Sequence, residues 1–178
     1  MIAALQTAAR DPRSRLHRVL DPREVAIVGH SDGGDVSLAV AANSCCRDTA
    51  VKAAMILSGA ELAAFGGTYF SQGSTPLLVV QGSEDTINAP GCSAQLYDQA
   101  PRPKYYLNIN GAEHLPPYVN PGPSRRGIEM VTIAFLNAFL RHHPRALVRA
   151  RSQLPSGETL SSAATVSSPT GEACPGAP

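Results

Sequence analysis

Four apolar residues, Val25-Ala26-Ile27-Val28, run straight into Gly29-His30-Ser31-Asp32-Gly33, and Val36, Ala39 and Val40 then follow at helical spacing up to Asn43. An uninterrupted apolar run this short is what a strand buried on both faces of a parallel sheet requires. A tight glycine-flanked turn from such a strand into a helix leaves few architectures open. The strand must be covered on both sides and joined to its neighbours by crossovers. The rest of the chain keeps the same alternation. Residues 53–57, 77–80 and 105–109 read as strands, and a helix over 89–100 is stopped by Pro101. A first helix ends before Asp11-Pro12. The longest helix follows Ser124, with Ile128, Val131, Phe135, Leu136, Phe139 and Leu140 along one stripe. The expected fold class is α/β, with about four parallel strands and flanking helices.

Composition sets the limits of the domain. From Ser152 onward the sequence is rich in Ser, Thr, Pro, Gly and Ala and holds no aromatic residue. Such a segment buries too little apolar surface to offset its ordering entropy. The expectation is one domain over residues 1–150 and a disordered tail over 151–178, with at most a weak strand at 163–166. Fifteen basic residues against fourteen acidic ones leave a net charge of +1, which gives no electrostatic footprint for nucleic acid. The longest apolar stretch, 131–140, falls well short of the roughly 20 residues a membrane-spanning helix needs. Cys45, Cys46, Cys92 and Cys174 lack any C-x-x-C spacing and read as buried or idle thiols, without metal.

The Gly29–Gly33 turn carries the chemistry. A serine between two glycines at a strand-to-helix turn exposes its hydroxyl beside a helix N-terminus, which favours developing negative charge. The glycines are expected to lack side chains because neighbouring backbone passes too close for a Cβ. The backbone N–H of Asp32 is then the natural oxyanion donor. Asp85 follows the third strand in Gly82-Ser83-Glu84-Asp85, and His114 follows the fourth in Gly111-Ala112-Glu113-His114. In an open parallel sheet, functional groups gather at the carboxyl ends of the strands. Ser31, Asp85 and His114 therefore read as nucleophile, orienting acid and base, with Glu84 as the rival to Asp85. His30 reads as structural within the turn, and His17, His142 and His143 as surface or helix-end residues. Phe65, Tyr69, Phe70 and Tyr118 either line the cleft or pack within their loops.

From about residue 2 to residue 145 the sequence resembles the C-terminal half of a bacterial α/β-hydrolase of the lipase, cutinase and dienelactone-hydrolase-like branches. The resemblance rests on VAIVGHSDGG (25–34), TPLLVVQGSEDTI (75–87) and NGAEH (110–114). It departs from dienelactone hydrolases proper in having Ser31 where those use cysteine. It implies hydrolysis of carboxylic esters through an acyl-enzyme, with no metal or organic cofactor, and it carries over no particular substrate; the expected partner is a small-molecule or lipid/polyester ester.

The same resemblance implies four strands before the nucleophile strand, whereas only 24 residues precede Val25. The strand at 25–28 is therefore expected to lie at a sheet edge, apolar and unpaired, which invites self-association. Three accounts are open: a start assigned too far downstream, a truncated remnant, or a half-domain that pairs with a partner or with itself. The cellular location stays open with them. Two functional readings follow, a weakened serine esterase and a non-catalytic module that associates through its strand edge.

Overall fold

The computed structural model describes residues 1–73, 75–166 and 174. A five-stranded sheet in the order β1-β2-β3-β4-β5 forms its centre. The strands are β1 (Val25–His30), β2 (Val51–Leu57), β3 (Leu77–Gly82), β4 (Lys104–Ile109) and β5 (Glu158–Ser161). The first four are parallel, with Val28 beside Met55, Met55 beside Leu78 and Leu78 beside Tyr105. This is the sheet the alternation predicts. The helices are α1 (Ile2–Arg10), α2 (Asp32–Ala42), α3 (Pro90–Gln99), α4 (Pro116–Val119), α5 (Pro123–Leu140) and α6 (Arg145–Arg151). Pro90 and Pro123 each open a helix, where the missing N–H costs nothing and φ is already set.

Strand alternation divides the interior into two cores. On one face Met55, Leu78, Val80, Leu107 and Ile109 pack against Val131 and Phe135 of α5 and Leu147 of α6. On the other, Ala54, Ile56, Leu77 and Val79 meet Leu38 of α2 and Leu96 and Tyr97 of α3. Phe135 is wholly buried, and burial of such a side chain stabilises by about 1.5–3 kcal/mol. The stripe expected on α5 is the one that packs, with Leu136, Phe139 and Leu140 partly buried against the same core. No helix among the described residues is long and apolar enough to cross a membrane.

Two expectations need correction. Within the stretch 151–178, expected as a disordered tail, residues 158–161 form β5, which pairs antiparallel with β4. The weak strand expected at 163–166 is not formed, those residues following β5 as bend and irregular backbone, and the tail's last segments, 167–173 and 175–178, fall outside the described residues. The strand escapes a reading by composition because Leu160, in the α5 core, is its one apolar residue. A side chain at Gly127 of α5 would overlap the Glu158 carboxyl, so the Glu158 side chain lies over this glycine. The cysteines are not idle thiols either: Cys45 is joined to Cys46, and Cys92 to Cys174. The second pair spans 82 positions and ties the tail to α3, a contact that spacing alone cannot reveal.

Candidate active site

The carboxyl ends of β1, β3 and β4 carry the three side chains singled out above. Ser31 stands between β1 and α2 with φ 57° and ψ −129°, a conformation that costs about 1–3 kcal/mol in a residue with a Cβ. Its backbone is clamped from both sides. The Ser31 N–H donates to Leu57 O at 2.9 Å, and Gly34 N and Asp35 N donate to Ser31 O at 2.7 and 3.1 Å. A Cβ on Gly29 would overlap the carbonyl of Gly33, so close backbone approach does explain the first glycine. It does not explain Gly33, where a Cβ would meet nothing within 4 Å. The second close approach falls on Gly34, whose Cβ would lie 3.2 Å from Gly29 O and 3.3 Å from Gly59 Cα.

Ser31 Oγ lies 2.9 Å from His114 Nε2, and His114 Nδ1 lies 2.8 Å from Asp85 Oδ2. Asp85 is buried, whereas Glu84 is exposed. Burial works to raise the Asp85 carboxyl, but hydrogen bonds from His114, Asn88, Ile87 and Ser58 outweigh it and hold the group below its ordinary value. Ile87 N and Asn88 N donate to Oδ1 at 3.0 and 2.9 Å, while Gln81 Nε2 donates to Oδ2 at 3.1 Å. An ionised Asp85 keeps the proton on His114 Nδ1 and leaves Nε2 free to accept from Ser31.

His30 holds the histidine loop: its Nε2 donates to His114 O at 2.9 Å, and its ring lies 4.7 Å from those of His114 and Tyr118. Tyr118 does not present its hydroxyl to a cleft. It bonds with Ser58 Oγ at 2.9 Å and donates to Val80 O at 3.2 Å, and burial pushes the hydroxyl up. Tyr69 and Phe70 pack against the α2–α3 core, with Tyr69 Oη bonded to Leu62. Phe65 closes a short 3-10 turn, Ala63–Phe65, and is half-buried. Sequence reading passed over two exposed apolar residues that neighbour the triad residues along the chain. Ile87 is 70% exposed on the Asp85 loop, and Leu115 is 49% exposed next to His114.

Asp32 is exposed at the first position of α2, where a helix N–H has no acceptor within the helix. Asp35 is buried and accepts from Ala60 N at 2.6 Å, fixing the loop after β2. Burial, then the charge of Asp32, raises its carboxyl against the lowering effect of the Ala60 bond. On the same loop Glu61 is buried and pushed up to about 7. Among the described residues no cluster of His, Cys, Asp and Glu has the makings of a metal site.

A sequence model of the PET hydrolase-like family matches residues 1–171. The chain belongs to that family. It is also similar to a curated protein, cutinase est2 of Thermobifida alba, with 28% identity over 146 residues. That match takes in 80% of this chain and 45% of the relative, so the chain spans about half the length of the curated protein it matches. The mostly parallel sheet with helices on both faces is a partial α/β-hydrolase fold, as expected for a member of the PET hydrolase-like family.

Proposed function

We propose that the chain is a serine hydrolase of carboxylic esters, with Ser31 as nucleophile, His114 as general base and Asp85 as the residue that orients it. The observation that carries the reading is the relay of 2.9 and 2.8 Å from Ser31 through His114 to Asp85. Ser31 Oγ attacks the ester carbonyl as its proton passes to His114 Nε2. The oxyanion is met by the Asp32 N–H at the start of α2. Collapse of the tetrahedral intermediate expels the alcohol, which takes the proton from His114, and leaves an acyl group on Ser31. Water attacks this ester with His114 again as base, releasing the acid and restoring Ser31. These steps use only the named groups and water. Turnover resting on one assigned oxyanion donor is expected to be about 100- to 1000-fold weaker than on two. Exposed Ile87 and Leu115 beside the site favour an apolar ester presented at a surface.

Intact-mass labelling with a fluorophosphonate tests this reading. A single adduct on the full chain that vanishes in Ser31→Ala is expected. An unlabelled chain, or an adduct that survives the substitution, would sink it.

A second reading, a non-catalytic module that associates through β1, is favoured by one observation. β1 is an outer strand of the sheet, and Val28 is 50% exposed. Beside it a groove of about 510 Å³ is lined by Asp21, Glu24, Ile133, Leu136, Leu140 and Arg141. Sedimentation velocity should then show a mass that rises with concentration, and Val28→Lys should abolish the rise by charging the edge. A chain that stays monomeric and labels at Ser31 would exclude this second reading.

A further inference from the structure

Strand β3 ends on a side chain that does not suit it. Leu77, Leu78, Val79 and Val80 are all apolar, and then comes Gln81, wholly buried. Burying a primary amide without partners costs several kcal/mol, so its retention in a core calls for a full set of hydrogen bonds. The set is present. Nε2 lies 3.0 Å from Gly82 O, 3.1 Å from Asp85 Oδ2 and 3.1 Å from Asn88 O. Oε1 accepts from Ser93 Oγ at 2.6 Å. Three acceptors around one end fix the sense of the amide, since a flipped Gln81 would turn its oxygen on all three.

Alternation explains why Ser93 is the partner. Leu77, Val79 and Gln81 point to the face covered by α2 and α3, and Ser93 stands in the first turn of α3, itself wholly buried. Its hydroxyl also lies 2.9 Å from Gly59 O on the loop after β2, so its one proton is shared between that carbonyl and Gln81 Oε1.

We propose that Gln81, braced by Ser93, is a positioning residue that sets the plane of the Asp85 carboxylate for His114. The proposal rests on the hydrolase reading above. Each carboxylate oxygen has its own guide: two backbone N–H groups hold Oδ1, and Gln81 holds Oδ2, the oxygen that His114 also meets. When His114 takes the Ser31 proton, the carboxylate must keep its direction while facing a new imidazolium. A neutral donor gives that direction without cancelling the negative charge, which an arginine or lysine in the same place would do.

The test uses the full chain with Gln81→Met, Gln81→Glu and Ser93→Ala, assayed on a soluble activated ester over a range of pH. Gln81→Met keeps the length and removes the donor. Its kcat should fall about 10- to 100-fold with KM nearly unchanged, as for a misdirected catalytic group. Ser93→Ala removes the donor to Gln81 Oε1, and with it the contact to Gly59 O, and should cost roughly 2- to 10-fold in kcat, the worth of one hydrogen bond. In Gln81→Glu the new carboxyl donates only while protonated. That variant should lose activity with rising pH where the parent's profile is level, a response that mere damage to packing would not produce. An unchanged kcat in Gln81→Met, or a Gln81→Glu profile parallel to the parent's, would overturn the proposal. The hydrogen-bonded Nδ1 proton of His114, followed by proton NMR, gives a readout independent of turnover. It should shift or broaden in Gln81→Met, and an unmoved resonance would also overturn the proposal. Absent Ser31 labelling in the parent would instead count against the hydrolase reading alone.

Discussion

Asp85→Asn is expected to lower kcat by about four orders of magnitude, the scale of a triad whose histidine is held in the wrong tautomer. The hydrogen bonds around residue 85 say which way the new amide turns. Ile87 N and Asn88 N both donate to Oδ1 and need an acceptor there, so the amide oxygen takes that place. The NH2 group then occupies the position of Oδ2, where it faces two donors, His114 Nδ1 and Gln81 Nε2. His114 can answer only by moving its proton to Nε2, which leaves no base beside Ser31. Gln81 keeps Gly82 O and Asn88 O as acceptors for its two amide hydrogens and drops its bond to residue 85, because flipping would turn its oxygen onto those two carbonyls. Stability follows the same group. A carboxyl held below its ordinary value stabilises the fold above its usual titration range, and that contribution fades as pH falls through the depressed value. Asp85→Asn should therefore flatten the acid limb of the unfolding profile as well as slow turnover. Steady-state kinetics on an activated ester reads the first effect and denaturant unfolding from pH 7 downward reads the second. A loss below about tenfold would remove Asp85 from the orienting role, since the pairing geometry predicts a wrong tautomer.

The positions of Ser31, Asp85 and His114 were legible because each lies in a short loop directly after a strand, and parallel strands deliver such loops to one end of the sheet. Strand alternation then needed no long-range information. What surrounds them did. Gln81 reads in sequence only as the residue that closes β3, and its partners come from the Asp85 loop and from α3. His30 reads as structural, but its bond to His114 O joins residues 84 positions apart. β5 has four residues and a polar outer face, so composition hid it until β4 supplied the pairing. The Cys92–Cys174 bond is another contact of this kind. In each case the local pattern specifies an element, and the partner is set by packing that the pattern does not contain.

The glycines of the Ser31 turn show the same limit at the scale of one atom, and they yield the sharpest stability contrast. Gly29→Ala is expected to cost about 3 kcal/mol or more, the upper end for overpacking a rigid site. The added Cβ would overlap the carbonyl of Gly33 and stand 2.5 Å from Ser37 Oγ. Ser37 can rotate away, but the Gly33 carbonyl is main chain of α2 and cannot move without opening the turn. Opening it releases the clamp on Ser31 O from Gly34 N and Asp35 N, and with it the φ of 57° that aims Oγ at His114. Gly33→Ala meets no atom within 4 Å, and Gly33 sits in the first turn of α2 without a positive φ. There alanine should be neutral or stabilise by up to about 1 kcal/mol through helix propensity. Chemical denaturation of the two variants, with fluorophosphonate labelling rates alongside, separates the cases. Gly29→Ala should lose both stability and labelling, and Gly33→Ala should keep both. Equal losses would mean that the motif's two glycines serve one purpose. The reverse order would mean that the tight approach lies at the helix rather than at the strand. A serine held at a strained φ needs one rigid neighbour on each side, and at this turn the strand supplies it through Gly29 while Gly34, one residue beyond the motif, supplies it from the helix.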